Sequence, residues 1–124
     1  RDARDMAIIQ DIGHLIMPVD DMPKAVAFYR DLLGFRLVGK GSPVWTVVEV
    51  DGGQITLWRT DKLSKVAYGP GGDDTPFEFH VENFETAADL LESKGIRVKR
   101  VGANGGVVWD PFGNAFRVHD HREG

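Results

Sequence analysis

Residues 14–35 read HLIMPVDDMPKAVAFYRDLLGF and contain the clearest secondary-structure signals of the chain. The β-rich run over residues 12–19 predicts a strand. Asp20 and Asp21 then offer side chains that cap a helix N-terminus. Apolar residues recur at spacings of three and four as far as Gly34, a residue type that commonly ends a helix. The stretch therefore predicts a strand followed closely by an amphipathic helix.

The same order of signals returns in the second half of the chain. A strand-like run covers residues 77–81, Asn83 can cap a helix, and Gly95 ends its apolar stripe. Residues from Val19 to Ala25, in the first half of the helix, match residues 62 positions later, whereas Gly34 matches Gly95 at 61 positions. The register holds across helix, glycine and final strand, which predicts an internal repeat.

Each repeat contains three further strand-like runs after its helix. They cover residues 35–39, 44–50 and 54–60 in the first repeat, and 96–101, 107–110 and 114–120 in the second. We therefore predict an α+β fold in which residues 1–124 form one domain of two βαβββ modules, 10–60 and 75–121, joined by a linker over 61–74. Each helix then covers one face of its sheet and leaves an open face, where function is to be sought.

Composition excludes several classes of function. The 124 residues include 15 Lys+Arg, 19 Asp+Glu and no Cys, for a formal net charge of −4. Without Cys there is no disulfide scaffold, thiolate metal site or thiol nucleophile. The acidic balance does not fit nucleic-acid binding, and no apolar run reaches the length of a membrane span. We expect a small soluble, cytoplasmic domain whose partner is a small molecule or a protein.

Three segments resemble the vicinal oxygen chelate superfamily, which includes glyoxalase I, bleomycin-resistance proteins and extradiol dioxygenases. They are HLIMPVDDM at 14–22, AFYRDLLGF at 27–35 and DPFGN at 110–114. The resemblance spans nearly the whole chain. It implies paired βαβββ modules whose sheets curl into a ligand cleft, and very often a homodimer.

The resemblance also identifies four positions that bind a divalent ion in metal-dependent members. Here they hold His14, Thr56, Pro76 and Arg117. Thr56 offers only a neutral oxygen, Pro76 has no donor atom, and Arg117 carries a permanent positive charge. We therefore expect no metal cofactor.

Strand alternation predicts which side chains line the open faces. Trp109 and Trp45 lie where the alternation is ambiguous, and Arg117 can bind either a ligand anion or Glu78. The predicted ligand-binding residues are His14, Ile16, Trp45, Gln54, Thr56, Trp58, Glu78, His80 and Arg117.

These residues favour a metal-independent protein that binds a planar or cationic organic compound, with antibiotics among the candidates. Rings would stack on Trp58 and Trp45, while Arg117, Glu78 and Thr56 set orientation. One alternative is an enzyme: a metal-dependent lyase, isomerase or dioxygenase, or a metal-free isomerase in which His14 is the base. Another is a regulatory or interaction module that reuses the fold.

Overall fold

The computed structural model describes residues 8–9, 11, 13–63, 75 and 77–120. Most of the predicted linker, Pro76 and both chain ends lie outside these residues. The described part forms two four-stranded sheets with one helix each, which confirms the predicted α+β fold. Its elements are β1 (Leu15–Val19), α1 (Met22–Val26, continuing through Ala27–Leu32), β2 (Arg36–Val38), β3 (Trp45–Val50), β4 (Gly53–Arg59), β5 (Glu78–His80), α2 (Phe84–Ser93), β6 (Val98–Arg100), β7 (Gly105–Trp109) and β8 (Ala115–His119).

The two sheets have the same topology. Sheet 1 has the strand order β1-β4-β3-β2, and sheet 2 has the order β5-β8-β7-β6. In each sheet the first strand pairs in parallel with the last, and the other pairs are antiparallel. The fourth strand of each module is therefore central, with neighbours on both sides.

Local signals set the helix ends as predicted. The side chain of Asp21 accepts a hydrogen bond of 3.1 Å from the backbone N–H of Lys24, and Asn83 caps α2 in the same way at 2.9 Å. Gly34 and Gly95 follow the helices with φ of 91° and 79°, a conformation that favours glycine.

The first helix widens after Val26. Over Ala27–Leu32 it is a π-helix, and the Leu33 N–H donates to the Phe28 carbonyl five residues back at 2.9 Å. A π-helical turn accommodates one extra residue relative to an α-helix. This accounts for the change of repeat offset from 62 to 61, because the first module has one residue more between its strand and its glycine.

The two modules share one hydrophobic core on the helix-bearing sides of their sheets. A run of aromatic rings crosses from one module to the other: Phe35 contacts Phe79 with centroids 5.7 Å apart, and Phe79 contacts Phe116 at 4.8 Å. The contact between Phe35 and Phe79 is edge-to-face, a geometry that adds to the free energy gained by burying the rings. The modules are therefore packed together within a single chain.

A buried polar junction ties the modules at the turn between β7 and β8. Tyr29 donates its hydroxyl proton to Asp110 Oδ2 at 2.7 Å, and Asn114 Nδ2 donates to Asp110 Oδ2 at 2.9 Å and to the Pro18 carbonyl at 2.8 Å. Burial raises the pKa of Asp110, against the lowering effect of the hydrogen bonds from Asn114 and Tyr29. Burial and the neighbouring carboxylate raise the pKa of Tyr29 well above its ordinary value.

No helix in the described ranges is long and apolar enough to cross a membrane.

Candidate functional site

The open face of sheet 1 carries a histidine, a threonine and two tryptophans. His14 directly precedes β1, and its Nδ1 hydrogen-bonds to Oγ1 of Thr56 on the central strand β4. Thr56 is fully buried. Because Thr56 is fixed in the sheet and covered, its hydroxyl holds the imidazole in one orientation.

Trp45 and Trp58 complete this face. They lie directly opposite each other on the antiparallel strands β3 and β4, so their side chains share a face. The Trp45 ring meets the His14 ring edge-on, with centroids 6.4 Å apart and planes at 79°. Trp45 is 43% exposed and Ile16 is 40% exposed. The face thus presents accessible apolar surface around an oriented imidazole.

Gln54 belongs to a polar network at the edge of this face. Its amide donates to Glu49 Oε1 at 3.0 Å, and Glu49 also pairs with Arg36. The Glu49 side chain is only 20% exposed, and it contacts both of these partners. The network limits how freely Gln54 can turn toward a ligand.

A groove of about 530 Å³ lies between the modules. Its polar lining brings together His14 and Gln54 from the first module with Glu78 and His80 from β5. The other lining residues are mainly apolar and include Phe35, Phe79 and Phe116 of the shared core. Four predicted site residues therefore meet in one concave surface, although they come from different modules.

A second groove, of about 460 Å³, lies on sheet 2 between the turn that joins β6 to β7 and the strand β8. Glu78, Arg117 and His119 line it. Glu78 and Arg117 are neighbours in the parallel pairing of β5 and β8. The carboxylate of Glu78 nevertheless lies 3.3 Å from His80 Nε2, and no ion pair between Glu78 and Arg117 is found among the described residues.

Trp109, whose orientation was ambiguous from sequence, lies on the open face of sheet 2. It packs with Val107 and Ala115, and the Arg97 guanidinium lies 4.0 Å from its ring centroid. Because of these contacts Trp109 is only 6% exposed. Its Nε1 has no hydrogen-bond partner within the described part of the chain. Arg97 was not among the predicted ligand-binding residues. The predicted strand over 96–101 includes it, whereas β6 begins at Val98.

The predicted ligand-binding set is thus divided over three surfaces. The open face of sheet 1 holds Ile16, Trp45, Thr56 and Trp58, the inter-module groove holds Gln54 and His80, and the sheet-2 groove holds Arg117. His14 belongs to the first two surfaces, and Glu78 lines both grooves.

A family model described as the Glyoxalase/Bleomycin resistance protein/Dioxygenase superfamily matches residues 11–118. The chain belongs to this superfamily. It is similar to the glutathione transferase FosA of Serratia marcescens, with 27% identity over 123 residues that cover 90% of this chain and 82% of that protein.

Solved structures show the same fold at low sequence identity. A glyoxalase family protein from Enterococcus faecalis matches with a TM-score of 0.68 and 16% identity, covering 92% of this chain and all (100%) of that one. TnmS3, an antibiotic binding protein from a Streptomyces species, matches with a TM-score of 0.66 and 20% identity, covering 94% and 99%. These likenesses support the arrangement of strands and helices described above.

The residues at the superfamily's metal-binding positions do not fit a divalent cation. Oγ1 of Thr56 is hydrogen-bonded to His14 Nδ1, so that imidazole nitrogen already has a partner. Arg117 brings a permanent positive charge. Pro76 lies outside the described residues, and its side chain has no donor atom. Within the described ranges, no three His, Asp or Glu side chains are grouped in a way that could hold a metal ion.

Proposed function

We propose that this superfamily member binds a small organic compound, planar or cationic, on the open face of sheet 1 and without a metal ion. The observation that carries the proposal is the arrangement of Trp45, His14 and Thr56. An accessible indole stands edge-on to an imidazole that a buried hydroxyl holds in place. Small-molecule sites typically combine aromatic surface with a few fixed polar groups.

The chemistry of this face suits ring-shaped ligands. Trp58 lies opposite Trp45 in the sheet, so the two indoles flank one patch of surface. Indole rings stack on planar ligands and attract cations through their electron-rich faces. The likeness to an antibiotic binding protein is consistent with a ligand from the antibiotics.

The donor set supports the metal independence in this proposal. A divalent ion needs several anionic or neutral donors that converge on one point. Here Thr56 and His14 bond to each other and Arg117 repels cations. The test is elemental analysis of protein produced with added Mn, Fe, Ni and Zn, which we expect to find far less than one ion per chain. One ion per chain, lost in His14→Gln, would refute metal independence and favour a metal-dependent enzyme.

A second copy of the chain completes the site in this proposal. Ile16 and Trp45 are large apolar side chains on one sheet face, and they are 40% and 43% exposed. Exposed apolar side chains that are grouped on one face mark an interaction surface, whereas single ones are normal. Light scattering on the purified protein should give the mass of two chains, and Ile16→Glu should give that of one. A monomeric wild type at high concentration contradicts this part of the proposal. A cytoplasmic location stays a prediction from the sequence.

Tryptophan fluorescence tests the ligand directly. The protein is titrated with a panel of planar and cationic antibiotics, and quenching is followed in the wild type and in Trp45→Phe, Trp58→Phe and Trp109→Phe. Loss of an indole stacking partner should weaken binding roughly two- to tenfold at positions 45 and 58. Trp109→Phe is the matched control, since Trp109 lies on sheet 2 beneath Arg97.

The titration either supports or refutes the proposal. Saturable quenching that depends on Trp45 and Trp58 supports the proposal. If no compound in the panel quenches the wild type, or if the control variant loses binding as much as the other two, the proposal fails.

A further inference from the structure

We propose that the groove on sheet 2 is a separate site for an organic monocarboxylate, whose carboxylate is bound by Arg117. This goes beyond the proposed function, because it concerns the other sheet and a ligand group of opposite charge. The property of Arg117 that disfavours a metal ion, a permanent positive charge, favours an anion. Its planar guanidinium offers two parallel N–H groups that match the two oxygens of a carboxylate.

Arg117 differs from most of the other described arginines, because its guanidinium has no carboxylate or aromatic partner among the described residues. Arg30, Arg36 and Arg100 pair with carboxylates, and Arg97 lies over an indole ring. Arg117 is exposed and lines the groove. Its backbone N–H donates to the Phe77 carbonyl at 2.8 Å, whereas its guanidinium makes no hydrogen bond or ion pair with any described residue. Its donors are therefore available to a ligand without first breaking an internal ion pair.

The groove can also hold the apolar body of such a ligand. Val107, the neighbour of Arg117 in the pairing of β7 and β8, is 4% exposed and forms part of the floor. Gly105 also lines the groove. A Cβ there would lie 2.8 Å from the His119 ring and 2.9 Å from the Val118 carbonyl oxygen, so the close approach of the ring requires glycine. A volume of about 460 Å³ accommodates a bicyclic ring system. The ring would displace water from apolar surface beside the guanidinium.

Glu78 restricts the charge of the ligand. It is the neighbour of Arg117 on β5, and adjacent strands are about 4.8 Å apart. Its carboxylate contacts His80 Nε2 at 3.3 Å and also lines the groove. Glu78 repels a ligand that carries two negative charges. A ligand with a single carboxylate can place it next to Arg117. The geometry therefore favours monocarboxylates over phosphate dianions.

The test uses two naphthalene probes of the same shape, 2-naphthoate and its neutral amide, 2-naphthamide. Binding is followed by amide NMR on Gly102, Gly105 and Gly106, which line the groove, with Gly34 as a distant reference. Naphthoate should shift the three groove amides in a saturable manner. Naphthamide should bind roughly ten- to hundredfold more weakly, the range expected for loss of a hydrogen bond to a charged group.

Variants test which side chains bind or repel the naphthoate carboxylate. Arg117→Gln should reduce the affinity for naphthoate to that for naphthamide, and Glu78→Gln should increase it and allow inorganic phosphate to bind. Arg59→Gln removes the same charge from an exposed arginine outside the groove and should change nothing. Equal binding of both probes, or an unchanged affinity in Arg117→Gln, would overturn the proposal. Because the readout is on sheet 2, this failure is distinguishable from failure of the tryptophan titration on sheet 1.

Discussion

Replacing Tyr29 by Phe tests the buried junction between the modules. The change removes one hydroxyl that is fully buried and donates to Asp110 Oδ2 at 2.7 Å. A hydrogen bond to a charged group contributes about 1.5–3 kcal/mol. Asp110 keeps the donors from the Asn114 side chain and from the Phe112 and Asn114 backbone, so the carboxylate is not left unpaired. We expect the free energy of unfolding to fall by about 2 kcal/mol.

That loss converts into a measurable change in melting temperature. A chain of 124 residues has an unfolding entropy of about 0.26 kcal/mol/K at the midpoint, from about 2.1 cal/mol/K per residue. A loss of about 2 kcal/mol therefore lowers Tm by about 8 °C. Calorimetry gives the change in Tm, and urea denaturation gives the free energy at ambient temperature.

The penalty should also depend on pH. Burial raises the pKa of folded Asp110 above 3.8, so its contribution to stability is present below that value and is lost as the pH rises through the folded pKa. The Tyr29 hydrogen bond lowers this pKa, so Tyr29→Phe raises it further. The variant should lose more stability at neutral pH than below pH 3.8. The raised pKa of Tyr29 makes the wild type lose stability above pH 10, a component that the variant lacks.

Two results would refute this reasoning. The first is a Tm within one degree or so of the wild type at neutral pH, which would mean that the hydroxyl is not bonded as described. The second is a penalty that stays constant across pH, which would mean that the ionised Asp110 is not its partner. Measuring Tyr29→Phe in an Asp110→Asn background isolates the pairwise coupling, which should be about 1–2 kcal/mol.

Three further substitutions test local features. Gly106→Ala should destabilise the fold by about 1–3 kcal/mol in urea denaturation, because an added Cβ would clash with the Lys99 backbone carbonyl and lie 2.9 Å from the Phe84 ring. Asn83→Ala should cost about 1 kcal/mol through loss of the helix cap, with Asn83→Asp as the conservative control that retains it. Thr56→Val keeps the shape but removes the hydroxyl, so ¹⁵N NMR should show a changed tautomer balance of His14, and an unchanged spectrum would contradict their hydrogen bond.

Much of the fold could be predicted because its signals are local. Asp21 and Asn83 cap the helices through the backbone N–H three residues away, and Gly34 and Gly95 adopt a φ that favours glycine. The shift of the repeat from 62 to 61 residues was visible in the sequence. It could not be assigned to a π-helical turn, because α- and π-helices share the same short-range apolar pattern.

The site was predicted less completely. Alternation correctly placed Thr56 and Trp58 on the open face of sheet 1, because β4 is regular and central. It left Trp109 ambiguous, because the register of β7 is set by its pairing with β8 rather than by an alternating pattern of its own. The alternation also left open whether Arg117 pairs with Glu78. In the structure the Glu78 carboxylate contacts His80, and this contact depends on side-chain geometry that alternation does not predict.

The sequence by itself determined the two-module architecture, because strands, caps and glycine stops depend on residues a few positions apart. Tertiary structure decided which distant groups meet. Tyr29 reaches Asp110 across 81 positions, and His14 reaches Thr56 across 42. The packing of the two modules on one core also placed His14 and His80 in one groove and Arg117 in another. Such contacts depend on how whole sheets pack, and no short-range pattern encodes that geometry.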